Sequence, residues 1–101
     1  MTASEASMQT LEICVLAPVI PVLVIDNADA AENLARALVA GGLPALEVTL
    51  RTPAALDAIR ALASVEGGVV GAGTLLTPDD VMAAKDAGAL FGVSPGATDR
   101  L

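Results

Sequence analysis

Apolar and polar residues follow two periodicities that alternate along this chain. Together these periodicities predict strands and helices in regular succession. Four short runs of β-branched or alternating apolar residues are typical of β-strands. They cover residues 19–25, 44–51, 69–74 and 90–94. The segments between them repeat apolar residues every three or four positions, which is typical of amphipathic helices. The resulting order, βαβαβαβ with short connections, predicts parallel strands joined by crossover helices.

A further helix is predicted ahead of the first strand. From Met8 onwards, apolar residues recur at helical spacing, and the helix must end before Pro18 because proline cannot continue it. The residues up to Ser7 are polar and are expected to be frayed. We therefore divide the chain into an N-terminal helical lead, residues 1–17, and an α/β part, residues 18–101.

Polar caps indicate where the later helices begin. Asp26 or Asn27 can cap the first of them, and the pairs Thr52-Pro53 and Thr77-Pro78 each predict a cap followed by the first helical residue. The two Thr-Pro pairs are 25 positions apart, the size of one strand–helix unit, and Asp80 completes an approximate capping box at the second pair. The expected buried stripes are Ala31, Leu34, Ala35, Leu38 and Val39 in one helix and Leu56, Ile59, Leu62 and Ala63 in the next.

The first two predicted strands differ in pattern. Residues 19–25 are almost continuously apolar, as in a strand buried on both faces, although Pro21 cannot donate to a ladder and indicates an irregular strand. In the second strand, strict alternation sends Glu47, Thr49 and Arg51 to one face. A binding site would explain this polar face. The alternatives are a half-exposed antiparallel strand and a simple Glu47–Arg51 ion pair.

Two architectures fit the α/β part equally well. One is part of a parallel (β/α)₈ TIM barrel, to which the chain would contribute about four strands, and the other is a small doubly wound α/β sheet. Both place their sites at the carboxyl ends of the strands, where Arg51, Thr74 and Ser94 are predicted to lie. The Gly71-Ala72-Gly73 run matches a dinucleotide-binding fingerprint only weakly, because Leu76 stands at the next glycine position.

Composition excludes several classes of function. The 101 residues include no histidine and carry a net charge of −7, so neither a zinc–histidine site nor a serine–histidine pair can form, and no basic patch serves nucleic acid. Phe91 is the single aromatic residue, and Cys14, the single cysteine, is expected to be a buried, inert thiol. The first basic residue is Arg36 and no apolar run reaches about 18 residues, so we expect an acidic cytoplasmic protein without membrane contact.

The polar residues at the strand ends suit one kind of chemistry. Arg51 offers a rigid fork for a substrate carboxylate, and Thr74 offers a hydroxyl group and a nearby amide. Burial among apolar strands would raise the pKa of Glu47 toward that of a useful proton shuttle. These groups fit enolate or carbinolamine chemistry on a small keto acid, whereas a purely structural Glu47–Arg51 pair is the alternative.

The chain resembles a known family at these residues. The matching blocks are Leu46-Glu47-Val48-Thr49-Leu50-Arg51-Thr52, Val70-Gly71-Ala72-Gly73-Thr74 and Ser94-Pro95-Gly96, together with Pro18-Val19-Ile20-Pro21-Val22. They are similar to blocks of the 2-keto-3-deoxy-6-phosphogluconate (KDPG) and 4-hydroxy-2-oxoglutarate aldolases, in the same spacing. The resemblance implies a (β/α)₈ barrel, a trimer, and cleavage of the sugar-acid phosphate to pyruvate and glyceraldehyde 3-phosphate. It implies a Schiff base and no metal or cofactor.

The resemblance also implies roles for individual residues. Glu47 is expected to be the general acid/base, Arg51 and Thr74 to bind the pyruvate carboxylate, and Pro95 to line the same pocket. The family's Schiff-base lysine and phosphate-binding loops lie beyond the matching part, and Lys85 is expected to be a solvated helix residue. The chain alone is therefore expected to be inactive. The alternative function is a non-catalytic half-barrel that pairs with another chain.

Overall fold

Helices and strands alternate in the predicted order. The computed structural model describes residues 1–96, 98–99 and 101. The helices are α1 (Ala3–Cys14), α2 (Ala31–Ala40), α3 (Ala55–Ala63) and α4 (Pro78–Ala87), and a 3₁₀ turn (Ala28–Ala30) leads into α2. The strands are β1 (Val22–Leu23), β2 (Ala45–Thr49), β3 (Val69–Gly73) and β4 (Phe91–Gly92).

The strands form a parallel sheet in chain order, β1-β2-β3-β4. In a doubly wound sheet the strand order reverses at a switch point, and the helices then cover both faces. Here the order does not reverse, and α2, α3 and α4 share one hydrophobic core with a single face of the sheet. The doubly wound alternative is therefore wrong, and the architecture is that of half a (β/α)₈ barrel.

The core lies between that sheet face and the helices. Leu46 and Val48 of β2 and Val70 and Ala72 of β3 point toward the helices, as alternation along a strand requires. The helix residues that bury against them are Ala31, Ala35, Ala55, Ala58, Ile59, Leu62, Ala84 and Ala87. Because most of these side chains are methyl groups, the helix backbones can lie close to the sheet.

Two members of the predicted helix stripes lie outside the core. Leu34 is 41 % exposed, and Ala63 is also exposed. The buried arc of α3 runs instead through Ala55, Ala58, Ile59 and Leu62, at the spacing i, i+3, i+4, i+7. The stripe was predicted wrongly at these two positions because the buried arc of each helix is displaced toward the alanines that contact the sheet.

One of the predicted helix starts is confirmed at Thr77, and a second, at Asn27, caps the 3₁₀ turn ahead of α2 rather than α2 itself. Thr77 Oγ1 accepts a hydrogen bond from the Asp80 backbone N–H at 3.1 Å, and the Asp80 carboxylate accepts one from the Thr77 N–H at 3.2 Å. This capping box starts α4, and Gly88, with φ of 111°, ends it. Asn27 caps the 3₁₀ turn by accepting from the Asp29 N–H at 3.0 Å.

The predicted cap at Thr52 is wrong. Helix α3 begins at Ala55, and its N-cap is Ala54, which makes no side-chain capping bond. The Thr52 hydroxyl donates instead to the backbone carbonyl of Ile25 at 2.5 Å. This long-range bond ties the loop after β2 to the segment after β1. Because the hydroxyl is used in this tertiary hydrogen bond, it does not cap α3.

The N-terminal segment also differs from expectation. Helix α1 begins at Ala3, five residues before the predicted start at Met8, because the Thr2 side chain accepts from the Glu5 N–H at 3.1 Å and caps it. The expectation of fraying is thus wrong. No residue of α1 is fully buried, and Cys14 is exposed rather than buried, because α1 contributes no side chain to the hydrophobic core.

A further correction concerns the burial of β1 on the sheet face opposite α2–α4, which is called here the open face. Val19, Val22 and Val24 were expected in a strand buried on both faces, but each is more than half exposed. Strand β1 has only two residues, since Pro21 cannot donate to the ladder and contributes only its carbonyl, which accepts from the Glu47 N–H at 3.0 Å.

No helix in the described part of the chain has both the length and the apolar character that crossing a membrane requires.

The packing predicts a clear contrast between two leucines. Leu62→Ala removes a side chain that is 2 % exposed, and we expect it to lower the free energy of unfolding by about 2–5 kcal/mol. Leu34→Ala is the matched control, because Leu34 is 41 % exposed and should cost well under half as much. Urea unfolding followed by circular dichroism measures both. Equal losses would contradict the assigned core.

Candidate active site

The candidate site is built around Glu47, in the middle of the sheet. Strand β2 pairs in parallel with β1 on one side and β3 on the other, so a half-exposed antiparallel strand is ruled out for this segment. All five residues of β2 are buried, and Glu47 is only 8 % exposed. Leu46 and Val48 face the helices, which leaves Glu47 and Thr49 on the open face.

The Glu47 side chain extends toward the carboxyl ends of the strands. Its backbone is in register with Gly71 of β3, whereas its carboxylate lies against Gly73, which is two residues further along. A β-carbon at residue 73 would lie 2.6 Å from Glu47 Cδ and 3.0 Å from its Cγ. The side chain therefore lies along the backbone of β3, which explains its burial on a face that is otherwise open.

Two opposing effects determine the protonation of Glu47. Burial disfavours the charged carboxylate and raises the pKa of Glu47 above its ordinary value, and the nearby positive charge of Arg51 lowers it by a smaller amount. Among the described residues the salt bridges are Arg36–Glu32 and Arg60–Asp57, both on the surface. The predicted Glu47–Arg51 ion pair is not formed in this structure, and Arg51 is exposed.

Thr74 stands at the end of β3 in an unusual backbone conformation. Its φ is 59°, in the left-handed region that non-glycine residues occupy at a cost of about 1–3 kcal/mol. The flanking residues hold it there, since Gly73 accepts from the Leu50 N–H at 3.0 Å and Leu75 donates to the Val93 carbonyl at 3.1 Å. Such strain is common at functional sites.

Thr49 shares the open face with Glu47 but serves the sheet. Its hydroxyl donates to the Leu23 carbonyl at 3.1 Å, and the residue is 1 % exposed. This bond ties β2 to β1 beside the site. Thr49 therefore holds the strands together, while Glu47 keeps its carboxylate available.

The turn after β4 lies at the same end of the sheet. The Ser94 hydroxyl donates to the Gly96 carbonyl at 2.8 Å and shapes the turn, and Pro95 is exposed at its tip. Thr74 and Ser94 follow neighbouring parallel strands, so their strand ends meet at one edge of the sheet, as predicted.

Lys85 lies away from this edge. It is exposed in the last turn of α4, in the helix layer that covers the other face of the sheet, which confirms the expected solvated helix lysine. In the part of the chain that the structure describes, no group of three His, Cys, Asp or Glu side chains could hold a metal ion.

A separate cavity lies beside α1. It has a volume of about 280 Å³ and is lined in part by Ile13, Cys14 and Ile20, together with all of β4. Neither Glu47 nor Arg51 lines it. The candidate site is therefore the group of polar residues around Glu47, toward the carboxyl ends of the strands, rather than this cavity.

Comparison with known proteins shows the family to which the chain belongs. The family model of the KDPG and KHG aldolases matches residues 10–101. The chain belongs to this family. It is 58 % identical over 83 residues to the 2-dehydro-3-deoxy-phosphogluconate aldolase of Zymomonas mobilis, covering 82 % of this chain and 40 % of that protein. It is 52 % identical over 85 residues to the KHG/KDPG aldolase of Escherichia coli, again covering 40 % of the relative.

Solved structures of the family share the fold. The Zymomonas mobilis KDPG aldolase with 3-phosphoglycerate has a TM-score of 0.86 at 54 % identity, over 89 % of this chain and 43 % of that one. The Legionella pneumophila enzyme, solved with pyruvate captured as a covalent carbinolamine, has a TM-score of 0.82 at 46 % identity, over 88 % and 44 %. This KDPG aldolase-family chain thus spans about two-fifths of the length of its relatives.

The raised pKa of Glu47 predicts how stability depends on pH. The folded carboxyl keeps its proton to higher pH than the unfolded one, so its contribution is fully present below the unfolded pKa and is lost as pH rises through the folded pKa. Glu47→Gln removes the ionisable carboxyl and therefore removes this loss of stability at higher pH. We expect the variant to be more stable than the unaltered chain at neutral pH, with the difference disappearing below the ordinary carboxyl value of 4.5.

Urea unfolding across this pH range measures the effect. Glu66→Gln, at an exposed position, controls for the loss of one negative charge. If Glu47→Gln destabilised the chain at neutral pH, the burial cost assigned to this carboxylate would be wrong.

Proposed function

We propose that this chain supplies the acid/base and carboxylate-binding groups of a class I aldolase. The reaction is cleavage of 2-dehydro-3-deoxy-6-phosphogluconate to pyruvate and glyceraldehyde 3-phosphate. One observation carries the proposal: the carboxylate of Glu47 is buried on the open face, lies against Gly73, and points to the edge where Thr74 stands. Membership of the KDPG aldolase family and the carbinolamine of the Legionella relative support it.

Glu47 is proposed to move protons at the substrate. Its raised pKa keeps a proton on the carboxyl closer to neutral pH, which suits general acid/base catalysis. In the carbinolamine, the protonated carboxyl gives its proton to the departing hydroxyl group, and water leaves. The resulting carboxylate takes the proton of the substrate's C4 hydroxyl as the carbon–carbon bond breaks and glyceraldehyde 3-phosphate leaves. The carboxyl then gives this proton to the enamine carbon, and addition of water to the imine releases pyruvate and the amine.

Arg51 and Thr74 are proposed to hold the pyruvate carboxylate. Arg51 is exposed at the end of β2, so its guanidinium can donate two parallel hydrogen bonds to a carboxylate from solution. Thr74 presents its hydroxyl at the neighbouring strand end, in a backbone conformation held by its neighbours. Pro95, at the tip of the next turn, is proposed to line the same pocket.

The proposal extends to the whole protein. In the family the Schiff-base amine comes from a lysine on a later strand, and Lys85 lies in the helix layer. We therefore propose that residues 1–101 alone do not cleave the substrate. The complete enzyme is proposed to be a cytoplasmic trimer without a metal or cofactor, in which residues 1–17 lead into the first barrel half, residues 18–101.

A chimeric enzyme tests the proposed role of Glu47. In the chimera this chain replaces the matching 40 % of the Zymomonas mobilis aldolase, which supplies the remaining strands. We expect the chimera to cleave the phosphogluconate substrate. Glu47→Gln should lower kcat by about 10²–10⁴-fold, because proton transfer is lost, while pyruvate binding changes by less than about threefold.

Pyruvate release is followed with a coupled dehydrogenase, and pyruvate binding by competitive inhibition. Glu66→Gln is the matched control and should leave both unchanged, because Glu66 is exposed away from the strand ends. Residues 1–101 alone serve as the inactive reference. Equal losses in kcat and in pyruvate binding would contradict the acid/base role.

A second candidate function is a non-catalytic half-barrel that assembles with another chain. The open face favours it, because Val22 and Val24 are 61 % and 54 % exposed and, within the described residues, both edge strands lack a neighbour on one side. If this function holds, light scattering on the purified chain should show one discrete dimer that unfolds cooperatively. A monomer or a polydisperse sample would count against it and leave the aldolase proposal.

A further inference from the structure

Two glycines of β3 make room for two side chains from neighbouring strands. Gly71 and Gly73 both face the open side of the sheet, whereas Ala72 between them faces the helices. A β-carbon at residue 71 would overlap the ring of Phe91, and one at residue 73 would overlap the carboxylate of Glu47. Each glycine therefore accommodates one specific neighbour.

The strand register explains why Glu47 leans toward Gly73. Glu47, Gly71 and Phe91 share one row across three parallel strands. Because Gly71 has no side chain, the space above it is open to either neighbour, and the Phe91 ring takes that space. The Glu47 side chain then extends along β3 to Gly73, toward the carboxyl ends of the strands.

The backbone at Gly73 has little freedom to move away. Its carbonyl accepts from the Leu50 N–H at 3.0 Å, and the next residue, Thr74, is held at φ of 59°. A side chain at residue 73 would therefore displace the carboxylate of Glu47 rather than the strand.

We propose that Gly73 and Phe91 are positioning residues for Glu47, Gly73 as the surface on which its carboxylate lies and Phe91 as the group that keeps it off Gly71. The catalytic consequence rests on the proposed function, while the placement of the carboxylate does not. Neither residue contacts substrate in this scheme. Both act by directing the Glu47 carboxyl to the strand ends.

The first test measures the placement directly in the 101-residue chain. The pKa of Glu47 is followed by ¹³C NMR titration of its side-chain carboxyl. Gly73→Ala should move the carboxylate into solvent on the open face, so its pKa should fall toward the ordinary value. Among the described residues, Arg51 at the end of β2 is the charged group that shifts this pKa, and the open-face residues of β1, β3 and β4 carry no charge.

Gly41→Ala is the matched control. Gly41 ends α2 with φ of −79°, and an added β-carbon there meets only backbone oxygens at 3.4 and 3.5 Å. The pKa of Glu47 should not change in this variant. An unchanged pKa of Glu47 in Gly73→Ala would overturn the proposed placement.

The second test uses the chimeric aldolase and a double-mutant cycle. Gly73→Ala should lower kcat by about 100-fold, because a misplaced acid/base group loses its alignment with substrate. In the Glu47→Gln background the same change should cost less than about twofold, since the group it positions is already lost. Phe91→Ala should behave in the same non-additive way. A full additional loss in the Glu47→Gln background would show a merely structural role and overturn the inference.

The two tests separate the two proposals. If the unaltered chimera does not cleave the substrate, the proposed function fails, and the NMR titration still decides whether Gly73 and Phe91 place the carboxylate. If the chimera is active and Gly73→Ala keeps its kcat within about threefold, the positioning inference fails while the proposed function stands.

Discussion

The parallel pairing of β2 with β3 is the contact on which the site depends. It sets Glu47 beside Gly71 and Thr49 beside Gly73. A slip of one residue would turn Glu47 toward the helices and place Leu46 and Val48 on the open face, because side chains alternate along a strand. The burial of Leu46 and Val48 against the helices therefore fixes the register, and the register fixes the site.

The arrangement also depends on small side chains in the core and in β3. Alanines such as Ala35 and Ala58 let the helices lie close to one face of the sheet, and the glycines of β3 leave room on the other. The single aromatic ring, Phe91, fills part of that room beside Glu47. Burial raises the pKa of Glu47, whose carboxylate lies against Gly73 of the neighbouring strand.

Much of the fold follows from local pattern. The alternation of strands and helices and the capping box at Thr77 were predictable, because they depend on residues close in sequence. The partner of the Thr52 hydroxyl was not predictable, because the hydroxyl bonds to Ile25, which is 27 residues away. The expected burial of Cys14 and of Val22 failed for a related reason, since exposure depends on which elements cover a face and periodicity does not report that.

For the site, the sequence by itself predicted the chemical groups: a glutamate within one strand, and an arginine and a threonine at the ends of parallel strands. In the sequence, the glycines of β3 were only a weak match to a dinucleotide-binding fingerprint. Only the tertiary structure decided what approaches them, with the Phe91 ring over Gly71 and the Glu47 carboxylate over Gly73. The reason is physical, because a missing side chain creates space, and the strand register alone determines which neighbour fills it.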